Sequence, residues 1–199
     1  MARFGRTLGV ALGVLLAGCA PAPRSFPHAF EQVAEAQVPP VVLEAAGGKL
    51  ITPSSFPGRW VWLYFGYTNC PDICPTALSF LAEARKRLVE PSHVQVVFVS
   101  VDPGRDTPAK LAQHVAYFDP TFIGVTGSSH ALNELTSALG ARFELGVATR
   151  PGGGYTVNHT NVIYVLDPAG RLTARYAPEG DPAAIATDFN RLGERLATR

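Results

Sequence analysis

Two thiols stand four positions apart in Cys70-Pro71-Asp72-Ile73-Cys74-Pro75. A cysteine attacks or ligates as the thiolate, so the surroundings of the pair decide its chemistry. Two intervening residues would suggest a dithiol redox motif; here there are three. If the segment turns helically, positions i and i+4 share a face and both sulfurs can point at one ion. Pro75 has no place deep inside a helix, which puts Cys74 at or just before a helix start. Unpaired amide N–H groups and the positive end of the helix dipole would stabilise a thiolate there, below the free value of about 8.5. Two plainer readings stand beside this one: an inert disulfide, or buried cysteines serving as small apolar residues.

The elements that must position the pair are legible on either side. Arg59 to Gly66 (RWVWLYFG) is a continuous apolar run of strand length, the mark of a strand covered on both faces. Thr76 to Leu88 reads as an amphipathic helix, with Arg85, Lys86 and Arg87 at its negative pole. Val94 to Val101 is a second buried strand and Phe122 to Val125 a third. Asp106-Thr107-Pro108 opens a helix running to Phe118, and Ser128-Ser129 opens another reaching Leu139. Residues 140 to 157, with Gly152-Gly153-Gly154, read as an excursion. Val162 to Leu166 and Arg171 to Arg175 form a hairpin, and Asp181-Pro182 starts a last helix to about Ala197. Ahead of all this, Val41 to Glu44 and Lys49 to Ile51 flank Gly47-Gly48, a hairpin signal. Strands alternating with helices predict an α/β fold, a central mixed sheet flanked by helices. The thioredoxin-like fold with an N-terminal β-hairpin extension is the best match.

Thioredoxin-like proteins generally carry a proline just before the last hairpin, facing the active-site cysteines. Here Asn158-His159 takes that place, so the fold would bring the His159 imidazole to the Cys70 and Cys74 sulfurs. Two thiolates and an imidazole form a soft set that selects copper, above all Cu(I), or zinc. A structural zinc site would normally offer four protein ligands. Alone, a histidine is more often structural; opposite a cysteine pair it reads as a ligand. His93, His114 and His130 have no such company and read as solvated or core residues.

The first forty residues set the compartment. Arg3 and Arg6 precede the apolar stretch Leu8 to Leu16, too short to span about 30 Å of hydrocarbon and suited to a signal peptide. Leu16-Ala17-Gly18-Cys19 resembles a bacterial lipobox, in which the cysteine becomes the lipidated terminus. The expected organisation is therefore a lipoprotein signal peptide over 1–18, a lipid-anchored tether over 19–40 and a folded domain over 41–199. Within the tether, Phe30 to Gln37 reads as a helix-like piece and His28 as a solvated linker residue. The expected location is the extracytoplasmic face of a bacterial membrane, where disulfides are permitted. Hydrophobic residues make up 47% of the 199, enough for a sizeable core, and 17 basic against 16 acidic residues leave a net charge of +1. With no basic run there is no electrostatic footprint for nucleic acid.

Three segments, FGYTNCPDICP (65–75), SVDPGRDTP (100–108) and VNHTNVIYVLDPAGR (157–171), closely resemble the Sco/SenC family of cytochrome c oxidase assembly proteins. The likeness runs from about Pro40 to the C-terminus with the motifs in family order. It implies that Cys70, Cys74 and His159 ligate Cu(I) or Cu(II), with Asp102 as a supporting carboxylate. It implies a metallochaperone for the CuA site of cytochrome c oxidase subunit II. The alternative is a thiol–disulfide reductase whose redox-active pair is Cys70 and Cys74, working with a reductant or another copper carrier. The family often places a histidine before the first cysteine and an aspartate before the ligand histidine; this chain has Asn69 and Asn158.

Overall fold

The computed structural model describes residues 25–147 and 154–197. In chain order the strands are β1 (Glu31–Gln37), β2 (Leu43–Ala45), β3 (Lys49–Ile51), β4 (Trp60–Gly66), β5 (Val94–Ser100), β6 (Ile123–Thr126), β7 (Phe143–Leu145), β8 (Val157–His159), β9 (Ile163–Leu166) and β10 (Arg171–Tyr176). The helices are α1 (Ile73–Lys86), α2 (Pro108–Ala116), α3 (Ser129–Leu139) and α4 (Ala183–Ala197).

Every residue of β4 and of β5 is buried, as their unbroken apolar runs require of strands covered on both faces. They pair in parallel from Trp60↔Val94 to Gly66↔Ser100, and β9 flanks β4 antiparallel. The full order is β1-β10-β9-β4-β5-β6-β2-β3, a mixed sheet of eight strands. The hairpin β2–β3 turns through Gly47 and Gly48, both at positive φ, and docks on β6. Helix starts follow the sequence: Thr107 caps α2 by accepting the Lys110 N–H, and Ser128 caps α3 by accepting that of Ala131. This is the expected α/β architecture with its N-terminal hairpin.

The segment ahead of Pro40 departs from expectation. Glu31–Gln37 is a strand, not a helix, and pairs antiparallel with β10. Its glutamates meet arginines across the pair, Glu31 on Arg175 at 2.6 Å and Glu35 on Arg171 at 2.5 Å. An open sheet edge offering unpaired amides and two matched cations outweighs the helix preference of an Ala/Glu/Gln-rich stretch. Phe26 is buried as well, its ring 5.7 Å from that of Trp60 and 5.8 Å from that of Phe189. His28 is no solvated linker residue: its Nδ1 lies 2.7 Å from Oδ1 of the fully buried Asp188, and its backbone N–H donates to Oδ2 at 3.0 Å. A buried carboxylate requires such partners, and Tyr176 supplies another from its hydroxyl at 2.8 Å. Folded structure therefore begins well before residue 41. The leader residues, Cys19 among them, lie outside the described residues.

Candidate metal centre

The loop 67–72 leaves β4 and enters α1 one residue ahead of Cys74, so Cys74 and Pro75 occupy the first helical turn. The Cys70 N–H donates to the Tyr67 carbonyl at 3.2 Å and closes the loop. At the helix mouth the Cys74 N–H donates to Cys70 Sγ at 3.3 Å. An otherwise orphaned amide of the first turn is thus spent on the outer sulfur. Cys70 is half-buried and Cys74 wholly buried; both are free thiols.

His159 ends β8, a three-residue strand paired with β7 in a small ribbon, Phe143 opposite His159. Its Nε2 stands 3.1 Å from Cys74 Sγ. Its Nδ1–H donates to the Thr160 carbonyl at 3.3 Å, which leaves the lone pair on Nε2, toward the sulfurs. Tyr64 and Tyr67 hold the ring edge-on, with centroids at 5.9 and 6.1 Å. The two Sγ atoms and one imidazole nitrogen lie within 4.8 Å of one another. Among the described residues no fourth His, Cys, Asp or Glu joins them. The set has the softness and the three-ligand openness the sequence suggested.

Protonation differs from expectation at one sulfur. Burial, first, and then the bond with Cys70 push the Cys74 thiol up rather than down; the Tyr67 backbone offsets only part of this. For this buried thiol, desolvation outweighs the helix-mouth dipole. Burial likewise pushes His159 down, so its imidazole is neutral and ready to ligate at pH 7. Burial above all, followed by the two cysteines, pushes the Tyr64 phenol far up; its hydroxyl donates to Asn161 Oδ1 at 2.8 Å.

Asp102 is buried but turned elsewhere: it takes Arg105 Nε at 2.5 Å and the Tyr155 hydroxyl at 2.6 Å. Among the described residues, none of its hydrogen bonds reaches Cys70, Cys74 or His159. The carboxylate that addresses the cysteine loop is Asp106, which the sequence suggested only as part of the opening of a helix. It accepts the Thr68 N–H at 2.8 Å, the Thr68 hydroxyl, the Ser100 hydroxyl at 2.7 Å and Lys110 Nζ at 3.1 Å. Burial alone would raise its pKa, yet the bonds from Thr68, Ser100 and Lys110 together hold the carboxyl below its ordinary range. The adjoining Thr107-Pro108 pair took the capping role, and nothing local in sequence marks Asp106 as reaching back to Thr68. His114 lies between Phe98 and Phe118, with burial lowering its pKa, and the exposed His130 faces Glu134. His93 closes a 3₁₀ turn before β5.

Residues 31–194 match the SCO1/SenC family. The mitochondrial SCO2 homolog of Bos taurus is 38% identical over 133 residues, 65% of this chain and 50% of that protein. A protein of Stutzerimonas stutzeri described as a putative copper-binding protein is 36% identical over 146 residues, 69% of this chain and 68% of its own length. This chain thus spans about half the length of its mitochondrial relative. Among solved structures, Bradyrhizobium japonicum ScoI with copper bound superposes with a TM-score of 0.71 at 32% identity, covering 78% of this chain and 99% of that one. A family match over most of the chain, with the same thioredoxin-like fold, makes this protein a member of the SCO1/SenC family.

Proposed function

We propose that this chain binds one copper ion through Cys70 Sγ, Cys74 Sγ and His159 Nε2 and supplies it to the CuA site of cytochrome c oxidase subunit II. Its place would be the extracytoplasmic face of a bacterial membrane, held by a lipid on Cys19. One observation carries the reading: three soft donors converge within 4.8 Å at the mouth of α1, and no fourth described ligand closes the set. Such a site can hold a soft cation and still admit an incoming ligand. The half-buried Cys70 is the donor that an incoming partner thiol reaches first, while Cys74 and His159 retain the ion from within. Copper analysis of the reduced chain tests this. We expect one copper per chain, and none in a Cys70→Ser/Cys74→Ser double variant; equal copper in both would overturn the reading.

The bond from the Cys74 N–H to Cys70 Sγ favours a second reading, a thiol–disulfide reductase. The Cys70 thiolate would attack a disulfide of the partner's copper site, forming a mixed disulfide and releasing one partner thiolate. Cys74, losing its proton, would then attack Cys70 Sγ and release the second partner thiol, leaving the pair oxidised by two electrons. A cellular thiol reductant would reset it. Mixing metal-free reduced chain, and separately copper-loaded chain, with oxidised partner fragment separates the two. If the metal-free form reduces the fragment while the loaded form delivers no copper, the chaperone reading fails.

A further inference from the structure

The ribbon that presents His159 is small. β7 and β8 have three residues each, and an isolated two-stranded pair of that length is not stable in water. Something outside the ribbon must fix the imidazole over the sulfurs. One external hold on the lead into β8 is at Tyr155, four positions before His159. The Tyr155 hydroxyl donates to Asp102 Oδ1 at 2.6 Å, and its carbonyl accepts Arg105 Nη1 at 2.8 Å. The Arg105 guanidinium also stacks on the Tyr155 ring, 3.6 Å from the centroid. Arg105 is in turn fastened by its own Nε to Asp102 Oδ2 at 2.5 Å. The same guanidinium lies 5.7 Å from the Tyr67 ring centroid, and Tyr67 holds the edge of His159.

We infer that Arg105 is a positioning residue for His159, fastening the β8 lead-in and the cysteine loop to the turn between β5 and α2. One planar group meets all three segments: Asp102 on the turn, Tyr155 ahead of β8, and Tyr67 in the loop before Cys70. A fork that donates along its edge while stacking by its face is what the arrangement uses, and lysine has neither property. Asp102 thereby acquires a role without touching the ligands: it is the buried anchor to which both Arg105 and Tyr155 are tied.

The inference rests on His159 being a ligand, and its test separates the two. In metal-free reduced full chain, NMR of Arg105→Lys and Tyr155→Phe should show moved His159 ring resonances and weakened ring contacts to Tyr64 and Tyr67. Arg87→Met, on an exposed pair with Glu83 and Asp181, should change neither. Competition titration with Cu(I) should show affinity lowered roughly tenfold by Arg105→Lys, the size of coupling that contacting residues carry. In a His159→Ala background the same change should cost nothing further. An undiminished loss in that background, or unmoved His159 resonances in both variants, would overturn the role of Arg105. Failure of the unsubstituted chain to bind copper would instead sink the ligand reading, and the metal-free spectra would still judge Arg105. Tyr155→Phe, which removes one hydroxyl, carries the test if Arg105→Lys does not fold.

Discussion

Cys74 Sγ lies against the bare Cα of Gly66: a Cβ built there would stand 3.0 Å from the sulfur and 2.6 Å from Cε2 of Phe98. Both neighbours are wholly buried, so neither has free room to yield. Gly66→Ala should therefore cost about 1–3 kcal/mol of stability, the usual range for overpacking a filled core. The displaced sulfur should also weaken copper binding. Chemical denaturation and a Cu(I) competition titration on the same variant read the two effects; an alanine variant that matches the parent in both would refute the contact.

Metal uptake should release protons and strengthen with pH. Burial holds the Cys74 thiol well above its ordinary value, so near neutrality that sulfur carries a proton which the ion must displace. Apparent affinity should rise about tenfold per pH unit for each proton displaced, across the whole neutral range. Proton release on titrating metal into weakly buffered protein gives the count. In Cys74→Ser that count should fall, and an unchanged count would mean the thiol was already ionised.

The two cysteines should differ in reactivity. Cys70 is half-buried and its sulfur accepts a helix-mouth amide, whereas Cys74 is fully buried with its thiol pushed up. Brief treatment of the reduced, metal-free chain with an alkylating reagent at neutral pH should modify Cys70 first. Peptide mapping by mass spectrometry reads the order, and prior labelling of Cys74 would contradict the geometry.

Asp106 should make the fold sensitive to acid. Its carboxyl is held below the ordinary range, so its stabilising contribution is complete above the unfolded value of about 4. That contribution is lost as pH falls below this value and through the folded one. Asp106→Asn should lose on the order of 2 kcal/mol at pH 7, the scale of hydrogen bonds to a charged group. The gap between variant and parent should narrow below pH 4. A gap that stays constant from pH 7 to pH 3 would mean that the charge contributes nothing.

What was legible in the sequence and what was not divide along a physical line. The cysteine pair, the buried strands β4 and β5 and the caps at Thr107 and Ser128 are local signals, and each appears where its residues put it. His159 is legible only through the fold pattern, since its partner Cys74 is eighty-five positions away. β1 is not legible locally because its helix-favouring residues are overruled by a partner strand supplying Arg171 and Arg175. The pairing of His28 with Asp188 and of Thr68 with Asp106 joins distant segments through buried carboxylates, which no periodicity announces. Tyr155 looked like part of a glycine-rich excursion. Its hold on Arg105 and Asp102 exists only once the turn between β5 and α2 meets the lead-in to β8. The raised Cys74 thiol was likewise hidden, because the depth at which a helix mouth sits is set by everything packed over it.

The strand β4 is used at both ends. Phe26, near the first described residue, packs on Trp60 where the strand begins, and the cysteines follow Gly66 where it stops. Seven residues at about 3.3 Å each separate the two ends by roughly 20 Å of rigid, fully buried backbone. The packing of the N-terminal segment and the thiol pair thus sit at opposite ends of one strand, each built on a different terminus of the same buried backbone.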